Sequence, residues 1–170
     1  MTPILVRTML AAALSFATVS ATSAPAAWPP PLAPAAEQVD AIRVDKSERR
    51  MELLRGGKVV RRYRVMLGDA PVGAKRQQGD ERTPEGRYTI TFRNGASRFH
   101  LSLRVSYPDE ADKAWAKAHG VDPGGDIMIH GGTPPGYGRD WTDGCIAVTN
   151  AEIEEIWRLV PVGTPITISP

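Results

Sequence analysis

The chain has a single cysteine, Cys145, and a histidine fifteen positions earlier, His130. Together these two side chain types can do covalent chemistry. An imidazole that takes a thiol proton releases a thiolate, and a thiolate can attack a carbonyl and hold the acyl group as a thioester. The surrounding sequence suits that use. Asp126-Ile127-Met128-Ile129-His130-Gly131 predicts a short buried strand that delivers the imidazole to a loop rich in glycine and proline, with Gly131, Gly132, Pro134, Pro135, Gly136 and Gly138. The loop returns through Thr142-Asp143-Gly144-Cys145-Ile146-Ala147-Val148. Gly144 permits a tight turn and close approach of a substrate, so the backbone N–H groups of Asp143, Gly144 and Cys145 could face a developing oxyanion. On its own, Cys145 fits two plainer roles equally well, a small buried hydrophobe or a thiol pairing with another chain.

Other chemistries are disfavoured by spacing. His100, His119, His130 and Cys145 are the potential zinc ligands, but no C-x-x-C or H-E-x-x-H pair brings two of them together. A redox cycle would need a resolving cysteine, which the chain lacks. Zinc binding and redox cycling are therefore the weak readings of these residues. Two residues ahead of the turn, Arg139 and Trp141, could hold a carboxylate and cover an aliphatic substrate, or could be a solvated arginine and a packing tryptophan. His100 and Tyr107 default to structure, and His119 to the end of a helix.

With 170 residues, 42% hydrophobic and 24% charged, the chain fits one domain with a short appendage. Its net charge of +2 is too small to indicate nucleic acid or a polybasic membrane anchor. Arg7 followed by the apolar run Met9–Val19 and small residues at 20–24 predicts an export signal over 1–21. The run is too short to span a bilayer, for which about 20 residues are needed. A Pro/Ala-rich tether is expected over 22–37 and the folded domain over 38–170.

Alternation dominates that domain. Ile42 and Val44, then Val59, Tyr63, Val65 and Leu67, then Tyr88, Ile90 and Phe92, and then Phe99, Leu101, Leu103, Val105 and Tyr107 each predict a strand with one buried face. Gly56-Gly57 and Glu85-Gly86 supply hairpin turns. One helix is expected over 109–119, burying Ala111, Ala114, Trp115 and Ala118 and ending at Gly120. Another starts at Thr149, with Glu152 completing a capping box and Ile153, Ile156, Trp157 and Val160 facing the core. The predicted fold class is mainly β with one or two packed helices, sandwich-like or barrel-like. The basic cluster Arg49, Arg50, Arg55, Lys58, Arg61, Arg62 and Arg64 reads as a solvated strand face, or else as a dock for an anionic polymer such as a wall glycan or its carboxylate-bearing peptides.

Taken together, Ile129-His130-Gly131 and Asp140-Trp141-Thr142-Asp143-Gly144-Cys145-Ile146-Ala147-Val148-Thr149-Asn150 closely resemble the YkuD-type L,D-transpeptidase catalytic domain. The upstream segments Leu67–Lys75 and Gly79–Tyr88 resemble the family's glycine turn and T-P-x-G-x-Y stretch, so the likeness spans roughly 39–168. The resemblance implies Cys145 as nucleophile and His130 as base with no metal or organic cofactor, Gly144 and Cys145 as oxyanion donors, and Thr142 at the motif's Ser/Thr position. It also implies attack on the L-centre carbonyl of diaminopimelate in a peptidoglycan stem peptide. The thioester would then pass to an amine, to a lipoprotein lysine or to water, so hydrolysis of stem peptides or lipoprotein links is the near alternative. A catalytically idle wall-binding module is the distant one. Two departures stand out. Asp143 replaces the histidine and Ala147 the arginine of many family members, and Asp143 would oppose thiolate formation unless it is paired or solvated. The expected location is the periplasm or cell wall.

Overall fold

The computed structural model describes residues 27–133 and 138–170. The predicted signal, the start of the tether and residues 134–137 of the Gly-Pro loop lie outside that range. Eight strands are described: β1 (Ala41–Asp45), β2 (Arg50–Arg55), β3 (Lys58–Arg64), β4 (Gly86–Asn94), β5 (Ser102–Val105), β6 (Met128–His130), β7 (Ile146–Ala147) and β8 (Pro165–Ser169). Two helices, α1 (Glu110–His119) and α2 (Asn150–Leu159), pack with them. The strand order is β3-β2-β1-β8-β4-β5-β6-β7. Pairing is antiparallel except at β1–β8 and β6–β7. The sheet curls until its two ends meet, where Met66, just past β3, bridges Ala147 of β7 and Gly68 bridges Thr142. That closure presses the turn before Cys145 against the segment that follows β3.

The β2–β3 hairpin turns through Gly56 and Gly57 at φ 57° and 73°, the left-handed conformations its tight turn requires. Glu85-Gly86 makes no hairpin; Gly86 instead opens β4 after a long loop. Phe92 departs from the predicted alternation and is exposed, because the β4–β5 register shifts between Ile90 and Phe92. The strand expected from Phe99 to Tyr107 is ordered as a strand only over Ser102–Val105, and His100 takes φ 72° ahead of it. Phe99 is thereby freed to face the site. Both faces carry buried residues here: Leu101, Leu103, Val105 and Tyr107 as expected, and Ser102 in addition.

α2 forms as its sequence dictates. Thr149 caps it, Glu152 completes the box, and Ile153, Ile156, Trp157 and Val160 are buried. Arg93 donates to the carbonyls of Trp157 and Val160 at its C-terminal end. α1 is capped by Asp109 and ends at Gly120 in the left-handed conformation. Its buried side is not the predicted one. Ala116 is buried while Ala111, Ala114 and Ala118 are exposed, because Asp112 turns inward to accept the hydroxyl of buried Tyr88 at 3.1 Å.

Part of the expected tether lies against the body. The Ala33 N–H donates to the Arg158 carbonyl at 2.8 Å, the Trp157 indole donates to the Pro30 carbonyl at 2.8 Å, and Ala33 is buried. Another pin sits on the opposite flank. The ammonium of Lys46, only 2% exposed, donates to the carbonyls of Gly73 and Thr83 and pairs with Glu85 at 2.7 Å, fastening the long loop between β3 and β4.

Candidate active site

β6 and β7 run parallel with Ile129 beside Ile146 and His130 beside Ala147. Extending that register sets Cys145 beside Met128, on the face of the sheet that carries His130. The Met128 N–H confirms the placement by donating to the Cys145 Sγ at 3.4 Å, and the thiol faces the Asp126 carbonyl at 3.6 Å. His130 at the end of β6 and Cys145 just ahead of β7 are thus set on adjacent segments, and the resting thiol hydrogen-bonds backbone.

His130 is 2% exposed. Its Nδ1 lies 2.7 Å from the Gly131 carbonyl. A carbonyl can only accept, so the neutral ring carries its proton on Nδ1 and keeps the lone pair on Nε2. Burial pushes the imidazole below the usual histidine range, against a smaller opposing effect of the Gly131 carbonyl. Phe99 stacks on the ring at 4.5 Å between centroids and 30° between planes, and Trp141 meets it edge-on at 5.8 Å. Gly131 has no room for a side chain, because an added Cβ would lie 2.7 Å from Ile153 and 2.8 Å from Asn150. Its contribution is the carbonyl.

The turn before the nucleophile is held from inside. Thr142 is buried; its hydroxyl donates to the Cys145 carbonyl at 2.7 Å and accepts the Gly144 N–H at 3.2 Å. This bears on the oxyanion reading. The Gly144 N–H is occupied, and among the described residues the Asp143 and Cys145 N–H groups are the ones of the three with no hydrogen bond. Thr142 is likewise committed to the turn and does not face a substrate. Gly144 itself sits at φ 115°, and a Cβ there would fall 2.5 Å from the Arg82 carbonyl oxygen.

The loop before the turn is anchored by Asp140, which pairs with Arg49 at 2.7 Å and accepts the Leu67 N–H at 2.8 Å. Arg139 is exposed and Trp141 half-buried. Asp143 is exposed as well, so the departure from the family motif points to solvent. Burial, then the charges of Asp143 and Asp126, push the Cys145 thiol up, while the Met128 N–H and Lys75 work the other way. The thiol and the imidazole are therefore both neutral at rest.

His100 pairs with Glu154 at 2.6 Å, and His119 stacks on Trp115 and meets its carbonyl at 2.8 Å. The zinc candidates are thus dispersed, and no group of three potential metal ligands occurs among the described residues. Sequence reasoning missed Phe99, Gly131 as a carbonyl partner, and the Arg49–Asp140 anchor, all of which depend on contacts between distant segments.

Residues 40–168 match the YkuD family model, described as the L,D-transpeptidase catalytic domain. The protein named "Putative L,D-transpeptidase YafK" from Escherichia coli (strain K12) is 31% identical over 126 residues, covering 70% of this chain and 46% of its own length. The chain thus spans about half the length of the curated relatives it matches. Among solved structures, the helical cell shape determining protein Pgp2 from Campylobacter jejuni superposes with a TM-score of 0.59 at 24% identity, over 77% of this chain and 47% of that one. Bd1075 from Bdellovibrio bacteriovorus gives 0.58 at 24% identity, over 82% and 50%. At this identity the structural likeness speaks for the fold.

Proposed function

The chain belongs to the YkuD family of L,D-transpeptidase catalytic domains, and from that premise we propose that it is an exported cysteine acyltransferase of peptidoglycan, with Cys145 as nucleophile and His130 as base. One observation carries the assignment of roles. The buried imidazole is fixed with Nδ1–H on the Gly131 carbonyl, which leaves Nε2 as the ring nitrogen able to take a proton.

The thiol swings from the Asp126 carbonyl towards His130 and gives its proton to Nε2. The thiolate then attacks the L-centre carbonyl carbon of the diaminopimelate residue in a stem tetrapeptide. The carbonyl electron pair moves to oxygen, where the Cys145 and Asp143 N–H groups stabilise it by about 3 kcal/mol per well-placed donor. Collapse breaks the C–N bond to the terminal D-alanine, whose amine leaves with the proton held by His130. The resulting thioester is attacked by the side-chain amine of a second stem, by a lipoprotein lysine or by water. His130 takes the attacking group's proton and returns it to the departing thiolate. The first two outcomes are transpeptidation and the third is hydrolysis. No step calls on a metal or an organic cofactor.

The test is incubation with diaminopimelate-containing muropeptides, including lipoprotein-linked ones, with product masses read beside Cys145→Ala. Cross-linked dimers or D-amino-acid exchange, absent from the variant, identify a transpeptidase. Tripeptides or freed lipoprotein stubs alone identify a hydrolase. Unchanged substrate with the wild type would leave an idle wall-binding module. Expected locations are the periplasm or the cell wall, checked by fractionation with and without residues 1–21.

A further inference from the structure

On the outer face of β1–β2–β3 the cross-strand register aligns Arg43 with Glu52 and Glu52 with Arg62 in one row, and Asp45 with Arg50 and Arg50 with Arg64 in the next. Glu52 is only 3% exposed and is approached by three guanidinium groups, those of Arg43, Arg62 and Arg50. Glu52 cannot neutralise both Arg43 and Arg62 of its own row, so the row keeps positive charge. In the next row Arg50 and Arg64 stand directly opposite each other, a like-charge pairing that costs sheet stability. Asp45 and Glu48 compensate Arg50, whereas Arg64 makes no hydrogen bond or ion pair among the described residues. Beside this pair opens a cleft of about 570 Å³, lined by Arg49, Arg50, Arg62 and Arg64 with Glu48 as its one acid.

Planar guanidinium groups converging on an open cleft match carboxylates, which they bind in pairs of parallel hydrogen bonds. We propose that this arginine cleft is a second binding site, separate from Cys145, that docks the protein on the peptide-stem carboxylates of peptidoglycan. The choice of partner rests on the function proposed above. The cleft is also tied to the catalytic loop, because Arg49 on its edge grips Asp140, five residues before the nucleophile.

The experiment is co-sedimentation of the full chain, in a Cys145→Ala background, with purified sacculi at 50 and 300 mM salt. The comparison is Arg50→Gln/Arg64→Gln against Lys113→Gln/Lys117→Gln on α1, which removes the same net charge elsewhere. Thermal unfolding of each variant confirms that it folds. The site predicts that the arginine variant binds about tenfold more weakly at low salt while the lysine variant matches the parent, and that high salt narrows the difference. It also predicts that sacculi with chemically amidated carboxylates are bound poorly. Equal loss in both variants, no loss in either, no binding by the parent, or full binding to amidated sacculi would each overturn it. Turnover of a small soluble muropeptide, measured with Cys145 intact, is expected to survive the arginine substitutions. Failure of turnover in the wild type with arginine-dependent binding intact would refute the proposed activity and leave the dock standing.

Discussion

His130 Nδ1 and the Gly131 carbonyl oxygen lie 2.7 Å apart, and this contact between sequence neighbours decides which ring nitrogen can act as a base. Because burial lowers the pKa of His130 below its ordinary 6.5, the neutral imidazole persists into mildly acidic solution. The acid limb of kcat/KM is therefore expected below pH 6.5, and His130→Asn should lower kcat by about 10²–10⁴-fold. Stability has a matching sign: with a depressed folded pKa, the contribution of neutral His130 is present above 6.5 and is lost as pH falls through the folded value. A melting series from pH 7 to 5 checks this, with the decline shallower in His130→Asn.

Phe99 stacks on His130 and helps keep water from it. Phe99→Ala should wet the ring, raise its pKa towards 6.5, and move the acid limb to higher pH with kcat about tenfold lower. Phe99→Tyr, which keeps the stacked face, should restore most of both. A merely structural role would leave the limb where it is.

Asp143 is exposed but raises the thiol pKa through its charge. Asp143→Asn is expected to speed alkylation of Cys145 by iodoacetamide a few-fold at pH 7.5 and low salt, because reactivity follows the thiolate fraction. The gain should shrink in 0.5 M salt, which screens an exposed charge. In the wild type the rate should keep rising past pH 9, the sign of a raised pKa. Stopped samples read by mass spectrometry give both profiles.

At Gly144 a Cβ would lie 2.5 Å from the Arg82 carbonyl oxygen, and φ is 115°. Gly144→Ala must displace the turn that carries the N–H groups proposed to hold the oxyanion, so kcat should fall by about 10²-fold or more, with a stability loss of about 1–3 kcal/mol. Urea unfolding beside steady-state kinetics separates the two losses. The substituted protein is expected to remain folded at 25 °C while activity collapses.

What the sequence reveals and what it hides follow physical lines. The Thr149/Glu152 capping box and the Ile153–Val160 face are legible because one helix's own side chains and backbone make them. The approach of the Cys145 segment to the His130 strand is legible because two motif segments flank one loop, and the structure sets Met128, two residues before His130, against the Cys145 thiol. The buried face of α1 is not, since alanine spacing points to Ala111 and Ala118 while a tertiary bond from Tyr88 turns Asp112 inward. Phe92 is lost to a register shift between two strands, and the occupation of the Gly144 N–H depends on a hydroxyl, Thr142, folded inside the turn. The seat of Pro30 and Ala33 against α2 is hidden by composition, because proline-rich chain reads as a tether wherever it runs.

Whether Cys145 carries the acyl group is read most directly by intact-protein mass spectrometry after rapid mixing with a diaminopimelate-containing stem tetrapeptide. An adduct of the tetrapeptide mass less D-alanine is expected, confined to the peptide that contains Cys145, cleared by hydroxylamine and absent from Cys145→Ala. Product formation by Cys145→Ala at the wild-type rate, or turnover with the acyl group found on another residue, would contradict it.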